Sequence, residues 1–312
     1  MSSSNPPAAE GVRVHWEQLP PFIRRQIEER IGERVVRAIT QPGGFSPGMA
    51  ARLTTAGGRE VFVKAVSEQA NPDTPQMHRR EAEVVAALPP EAPVPRLLWT
   101  LDEAGWVALA FEAVDGHMPV QPWRDDELGL VVAALHRLHQ ALTPSPIASD
   151  TASNLLATHI KGWGELREAG GLDQWSNRNL ERLVELEARA PTAAVGETLL
   201  HVDVRADNLL IAADRVYFVD WPWALIGAPL VDWVGFAPSV AMQGGPQPDE
   251  LLAMAELKVA ADAIDAVIAS LAGYFLAYAR RPPPPGIPTV RAFQAAQGEI
   301  ALRWLRERTG WD

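Results

Sequence analysis

The 312-residue sequence has no cysteine, which excludes a disulfide framework, thiol catalysis and thiolate metal ligation. It has little lysine: Lys64, Lys161 and Lys258 are the only three among 28 basic residues. It also lacks a basic surplus. Against 39 acidic residues the net charge is −11, which argues against general affinity for nucleic acid or anionic membrane. No apolar run approaches the 18 or more residues of a spanning helix, and residues 1–10 lack the basic and apolar regions of a signal peptide. A cytoplasmic chain without membrane or nucleic-acid partners is the expectation. What is present is ordinary for a globular protein, with 47% hydrophobic and 21% charged residues. The charge is uneven: residues 1–112 hold 12 basic and 14 acidic side chains, whereas residues 113–312 hold 16 and 25.

The pattern along the chain predicts an α+β, two-lobed arrangement. Residues 1–11 read as a disordered tail, 12–114 as a β-rich lobe ending in a crossing strand, and 115–312 as a helical lobe. Leu19 to Ile31 opens on Pro-Pro and spaces its isoleucines as an amphipathic helix does. Strands are predicted at 34–39, 49–55 and 60–66, the first two joined by Gln41-Pro-Gly-Gly-Phe-Ser-Pro-Gly48. A helix at 75–88 and strands at 96–101 and 106–114 follow. Helices are predicted at 124–142, 155–169, 174–190, 249–280 and 290–308, interrupted by a hairpin at 209–212 and 215–220. The Pro282–Pro285 run reads as a stiff connector between the last two helices.

The most informative stretch is His201-Val-Asp-Val-Arg-Ala-Asp-Asn208, followed by Tyr217-Phe-Val-Asp-Trp221. Asp203 and Asn208 fall in a polar loop between apolar segments, and Asp220 ends a strand. Carboxylate and amide oxygens converging in this way suit a hard cation such as Mg²⁺, with phosphate completing its shell. On its own, such a loop is more often a polar turn.

His-x-Asp-x-x-x-x-Asn followed by Val-Asp-Trp resembles the catalytic loop and metal-binding segment of the aminoglycoside phosphotransferase family. That family includes choline, homoserine and sugar kinases and is related to protein kinases. Asp220-Trp-Pro-Trp-Ala-Leu-Ile-Gly-Ala-Pro-Leu-Val-Asp232 continues the likeness. The resemblance implies a protein-kinase-like fold and transfer of the ATP γ-phosphoryl group to a hydroxyl. Asp203 would accept or orient that hydroxyl, Asn208 and Asp220 would hold Mg²⁺, and His201 and Asp232 would brace the loop. Val202 stands where Gly is usual and Arg205 where His is common, which puts the acceptor side in question.

The resemblance also implies a lysine for the α/β-phosphates, and Glu60-Val-Phe-Val-Lys-Ala-Val66 supplies Lys64. Alternation puts Lys64 on a face with Phe62 and Val66, away from Val61, Val63 and Ala65. Glu81 sits where the family pairs that lysine with a helix glutamate, and Glu83 falls on another face. Gly43, Gly44 and Gly48 permit close backbone approach to phosphate, and Ser46 can donate from its hydroxyl or amide. Glu112 and Val114, at the hinge, would pair with adenine through their backbone, which leaves ATP and GTP undistinguished. His136 and His139 read as core-edge residues rather than metal ligands. The acidic second lobe favours a cationic acceptor such as an aminoglycoside, hence a resistance role. A metabolic choline, sugar or amino-acid kinase and an inactive nucleotide-binding module are the alternatives.

Overall fold

The computed structural model describes Pro7, Ala9 and residues 11–41, 43–213 and 215–312. Most of the predicted tail therefore lies outside the described residues.

Helix α1 (Pro21–Ile31) packs across the outer face of the first sheet, placing Ile23, Ile27 and Ile31 in the core one turn apart. Each such burial contributes about 2 kcal/mol. Gly32 ends it with φ 85°, a left-handed cap that a β-carbon would strain. Then come β1 (Val35–Thr40), β2 (Met49–Thr55), β3 (Glu60–Ser67), α2 (Thr74–Ala87), β4 (Leu97–Glu103) and β5 (Trp106–Glu112). The five strands form one antiparallel sheet in the order β1-β2-β3-β5-β4, so β3 is central and Lys64 is not on an edge. Val61, Val63 and Ala65 are buried toward α1, while Phe62 and Lys64 face the opposite side.

The chain leaves β5 through Ala113 and Val114 and forms β6 (Gly116–His117), which pairs with a hairpin of the helical lobe. In order, the lobe then contains α3 (Asp125–Ala141), α4 (Ala152–Thr158), α5 (Gly162–Ala169), α6 (Gln174–Arg178), α7 (Leu180–Glu187), α8 (Ala190–Ala193) and β7 (Thr198–Leu200). The hairpin β8 (Leu209–Ala212) and β9 (Val216–Phe218) follows, then β10 (Leu225–Gly227), α9 (Leu230–Met242), α10 (Pro248–Met254), α11 (Ala261–Ala279) and α12 (Val290–Thr309). β7 pairs with β10, and the two hold the loop between them.

Several expected helices are broken. The one predicted over 155–169 splits because α5 starts at Gly162, pressed so closely on Gly273 that a β-carbon would lie 2.0 Å from its carbonyl carbon. The segment 174–190 bends at Asn179 and ends before Pro191 opens a further turn. The segment 249–280 is interrupted where Glu256 takes φ 48°. α9 was not anticipated, since it is apolar nearly all round and contains Pro238, so no amphipathic stripe marks it. The expectation of no spanning-length apolar run is corrected as well: the 19 residues of α11 are long and apolar enough to cross a membrane by length and composition. Here α11 is the central helix of the lobe, packed on α5, α7, α9 and α12.

Candidate active site

The centre of the site joins the lobes. Lys64 Nζ donates to Glu81 Oε1 and Oε2 at 2.8 and 3.0 Å and to Asp220 Oδ1 at 2.7 Å, across 156 residues of sequence. Each group is placed by a different element: β3 carries the lysine, α2 the glutamate, and the turn after β9 the aspartate. Burial alone would lower the lysine, but the charges of Asp220 and Glu81 outweigh it and hold Lys64 protonated above its ordinary range. Asp220 is driven down to about 2, its burial overcome by Lys64. Glu81 shares that lysine with a second carboxylate in a buried setting, and its carboxyl is raised. Glu83, by contrast, is solvated, with 68% of its side chain exposed.

These groups line a cavity of about 390 Å³ between the lobes. Gly43, Gly44 and Ser46 roof it, and Glu112 and Val114 form the hinge wall. Asn208 and Asp220 close its inner end. Phe62 and Leu210 add apolar walls, and Phe111, buried in the core, also presents its ring to Lys64 at 5.9 Å. Asp203, His201 and Asp232 do not line it; the first two belong to the loop 201–208 and Asp232 to α9.

That loop hangs on Asp232, which is buried and accepts from the amides of His201 (3.1 Å) and Val202 (2.7 Å) and from His139 Nε2 (2.9 Å). Burial would raise the Asp232 carboxyl, yet the bond and charge of His139 hold it below the usual range. His201 Nε2 donates to the Val219 carbonyl at 2.9 Å, leaving Nδ1 to accept the Asp203 amide. No local pattern marks this partner of His139, because Asp232 lies 93 residues away. Val202 has φ 68°, which explains a glycine preference at this position and puts backbone strain on a β-branched residue. The paired amides hold it there.

Asn208 Nδ2 donates to the Asp203 carbonyl (2.8 Å) and to Asp203 Oδ2 (3.0 Å), so the amide oxygen of Asn208 is left as the hard donor beside Asp220. No group of three or more His, Asp or Glu side chains fit to hold a metal occurs among the described residues. An amide oxygen and a carboxylate fit Mg²⁺ whose remaining shell comes from phosphate and water. Burial raises the Asp203 carboxyl, partly countered by Arg205. Arg205 donates to Asp203 Oδ1 at 2.9 Å and grips Asp207 through Nε and Nη2 at 3.0 and 2.7 Å. Its guanidinium lies over Phe45 and Phe293, at 5.0 and 5.3 Å. Sequence reasoning missed Arg13, Asp207 and Met118, all of which also line the cavity. No motif marked any of the three.

A β-rich lobe and a helical lobe clasping a lysine, a glutamate and a carboxylate–amide pair define the protein-kinase-like class. The sequence matches the phosphotransferase enzyme family over residues 39–271, about three quarters of its length, and the chain belongs to that family. No curated protein sequence matches it significantly. Among solved structures, it is similar to an aminoglycoside phosphotransferase mutant in ternary complex with ADP and hygromycin B (TM-score 0.63, 15% identity, covering 93% of this chain and 99% of that one). It is also similar to a choline kinase from Streptococcus pneumoniae (TM-score 0.60, 15% identity, 92% and 99% covered). A putative fructosamine-3-kinase from Thermobifida fusca gives a TM-score of 0.57 at 18% identity, with 90% and 98% covered.

Proposed function

We propose that the chain transfers the γ-phosphoryl group of ATP to a hydroxyl of a small molecule. The observation that carries this reading is the Lys64–Glu81–Asp220 cluster at the inner end of an interlobe cavity. Lys64 would neutralise the α/β-phosphates beneath Gly43, Gly44 and Ser46, and the 112–114 backbone would take the base. Asn208 and Asp220 would hold Mg²⁺, which when bound supplies charge neutralisation on the transferring phosphate. Asp203 accepts and orients the hydroxyl proton, and its raised carboxyl makes it a better base than an ordinary aspartate. His201 and Asp232 hold the loop in register. Structural neighbours crystallised with ADP or AMP support a nucleotide in this place.

The acidic surplus of residues 113–312 was the ground for a cationic acceptor. Pairing with arginines of the same lobe leaves that net surplus unchanged, but it commits six of the carboxylates: Glu165 to Arg281, Asp249 and Asp265 to Arg308, Asp173 to Arg306, and Asp203 and Asp207 to Arg205. Beside Asp203 stand Arg205, the ring of Phe293 behind it, and Tyr274. Burial, with the charges of Tyr278 and Asp203, pushes the Tyr274 hydroxyl up to about 12, so it is a neutral donor. This wall suits a neutral or anionic hydroxyl compound better than an aminoglycoside. An ADP-release assay with hygromycin B, choline and neutral sugars tests both levels. ADP release that requires a hydroxyl acceptor supports transfer, and a preference for the two cationic compounds would overturn the acceptor reading. Absence of a thermal shift with any Mg-nucleoside triphosphate would remove the kinase reading altogether.

A further inference from the structure

The cavity contains a cation that the family likeness does not supply. Arg13 precedes α1 in a short stretch laid against the glycine-rich loop: Val14 N donates to Gly48 O at 3.0 Å, and Gly48 N to Val12 O at 3.1 Å. This fixes the Arg13 backbone beside the loop and turns its side chain into the cavity, where it forms part of the lining. The guanidinium donates to the carbonyls of Gly43 and Ser46, and through Nε to Gln41 O at 3.2 Å. These partners, and Gly44 O at 3.5 Å from Nη2, are all neutral carbonyls. Among the described residues Arg13 forms no salt bridge, so its positive charge is left uncompensated by direct contact.

Loop and arginine are fitted to each other. Gly44 has φ 90°, and a β-carbon there would lie 3.1 Å from Arg13 Nη2. The acidic groups that act on the guanidinium are Asp220 and Asp207, at the inner end of the cavity. Lys64, the other cation at that end, is committed to two carboxylates. A triphosphate brings about four negative charges to that end, more than Lys64 and one divalent ion neutralise.

We propose that Arg13 is a second phosphate-binding cation, delivered by the chain before the first helix, which contacts the terminal phosphates of the nucleotide from the loop side. The planar fork of arginine suits this role, since it can exchange carbonyl partners for phosphate oxygens two at a time. The proposal rests on the nucleotide reading above and adds to it a residue outside the family's matched span of 39–271.

The test is titration of the full-length protein and its Arg13→Met and Arg13→Lys variants with Mg-ATP, Mg-ADP, AMP and adenosine. Arg13→Met should weaken Mg-ATP about tenfold or more, the effect of one lost charge-assisted contact, and Mg-ADP by less. AMP and adenosine should change less than twofold. Arg13→Lys should recover part of the ATP affinity, and it provides the comparison if the methionine variant does not fold. A uniform loss across all four ligands would make Arg13 a staple for the loop and overturn the proposal, as would unchanged ATP affinity in both variants. Wild-type protein that binds none of the four overturns the nucleotide reading and the proposal with it. Wild-type binding with a uniform loss in the variants sinks the proposal alone.

Discussion

The two sides of the loop 201–208 are built differently. On the nucleotide side, Asn208 and Asp220 open onto a cavity whose charges are already paired across the lobes through Lys64. On the acceptor side, the Asp203 carboxylate is covered by Arg205, which lies against Phe45 of the glycine-rich loop and Phe293 of α12. Those two rings meet edge to face at 5.1 Å, so the first lobe and the last helix meet against Arg205. The Pro-rich connector adds to this contact, because Val12 N donates to Gly286 O (2.8 Å) and Asn71 Nδ2 to Pro285 O (3.1 Å). The contrast teaches that the cavity side presents a preformed charge cluster, the one on which the proposed nucleotide site rests. Asp203, by contrast, is already engaged by Arg205.

The sharpest way to break the comparison is to remove its charge pair. Lys64→Met leaves Glu81 and Asp220 without their cation, and the unpaired buried carboxylates should cost about 3–5 kcal/mol in urea unfolding, with loss of turnover. An unchanged unfolding midpoint would show that the cluster is not the preformed element described. Asp232→Ala addresses the loop itself: losing three accepted bonds should cost about 3 kcal/mol and lower turnover while Mg-ATP still binds. Intact turnover would mean that the loop holds its shape without this anchor.

The nucleotide side should also be the acid-labile one. His78 is buried beside Lys64; burial first, and then that positive charge, drop it from 6.5 to about 3. It is neutral when folded and protonates when unfolded, so its stabilising contribution is full above pH 6.5 and is lost as pH falls toward 3. Asp220, lowered from 3.8 to about 2, loses its own contribution only further down, as pH falls through about 2. His78→Gln should therefore flatten the decline in stability below pH 6.5 by up to about 1.4 kcal/mol per pH unit, measured by urea unfolding at pH 7 and 5. The smallest effect is expected on the acceptor side. Arg205 lowers the Asp203 carboxyl against the rise caused by burial. Arg205→Gln should move the acid limb of the kcat profile to higher pH, and a limb that stays or moves down would show that Asp203 is not the titrating base.

The same division governs what the sequence could reveal. The strands of the first lobe were legible to within about two residues, because alternation and glycine-rich turns encode them locally. Lys64, Glu81, Asn208 and Asp220 were picked out by their likeness to the family's motifs, and the structure brings all four to one cavity. Arg13 and His139 were not, since each acts through partners about 30 or more residues away and sits in no motif. The helical lobe was legible as helical but not in its breaks. Those arise from tertiary contacts such as Gly162 on Gly273, which local periodicity does not record.

One measurement bears most directly on the central claim that Asp203 works on the hydroxyl while a separate cluster holds the nucleotide. Asp203→Asn keeps the shape of the side chain and its place beside Asn208 but removes the base. Measured together in that variant, Mg-ATP affinity should stay within about twofold of wild type while acceptor-dependent ADP release falls by a factor of about 10²–10⁴. Turnover near the wild-type rate, or loss of nucleotide binding in step with activity, would contradict the account.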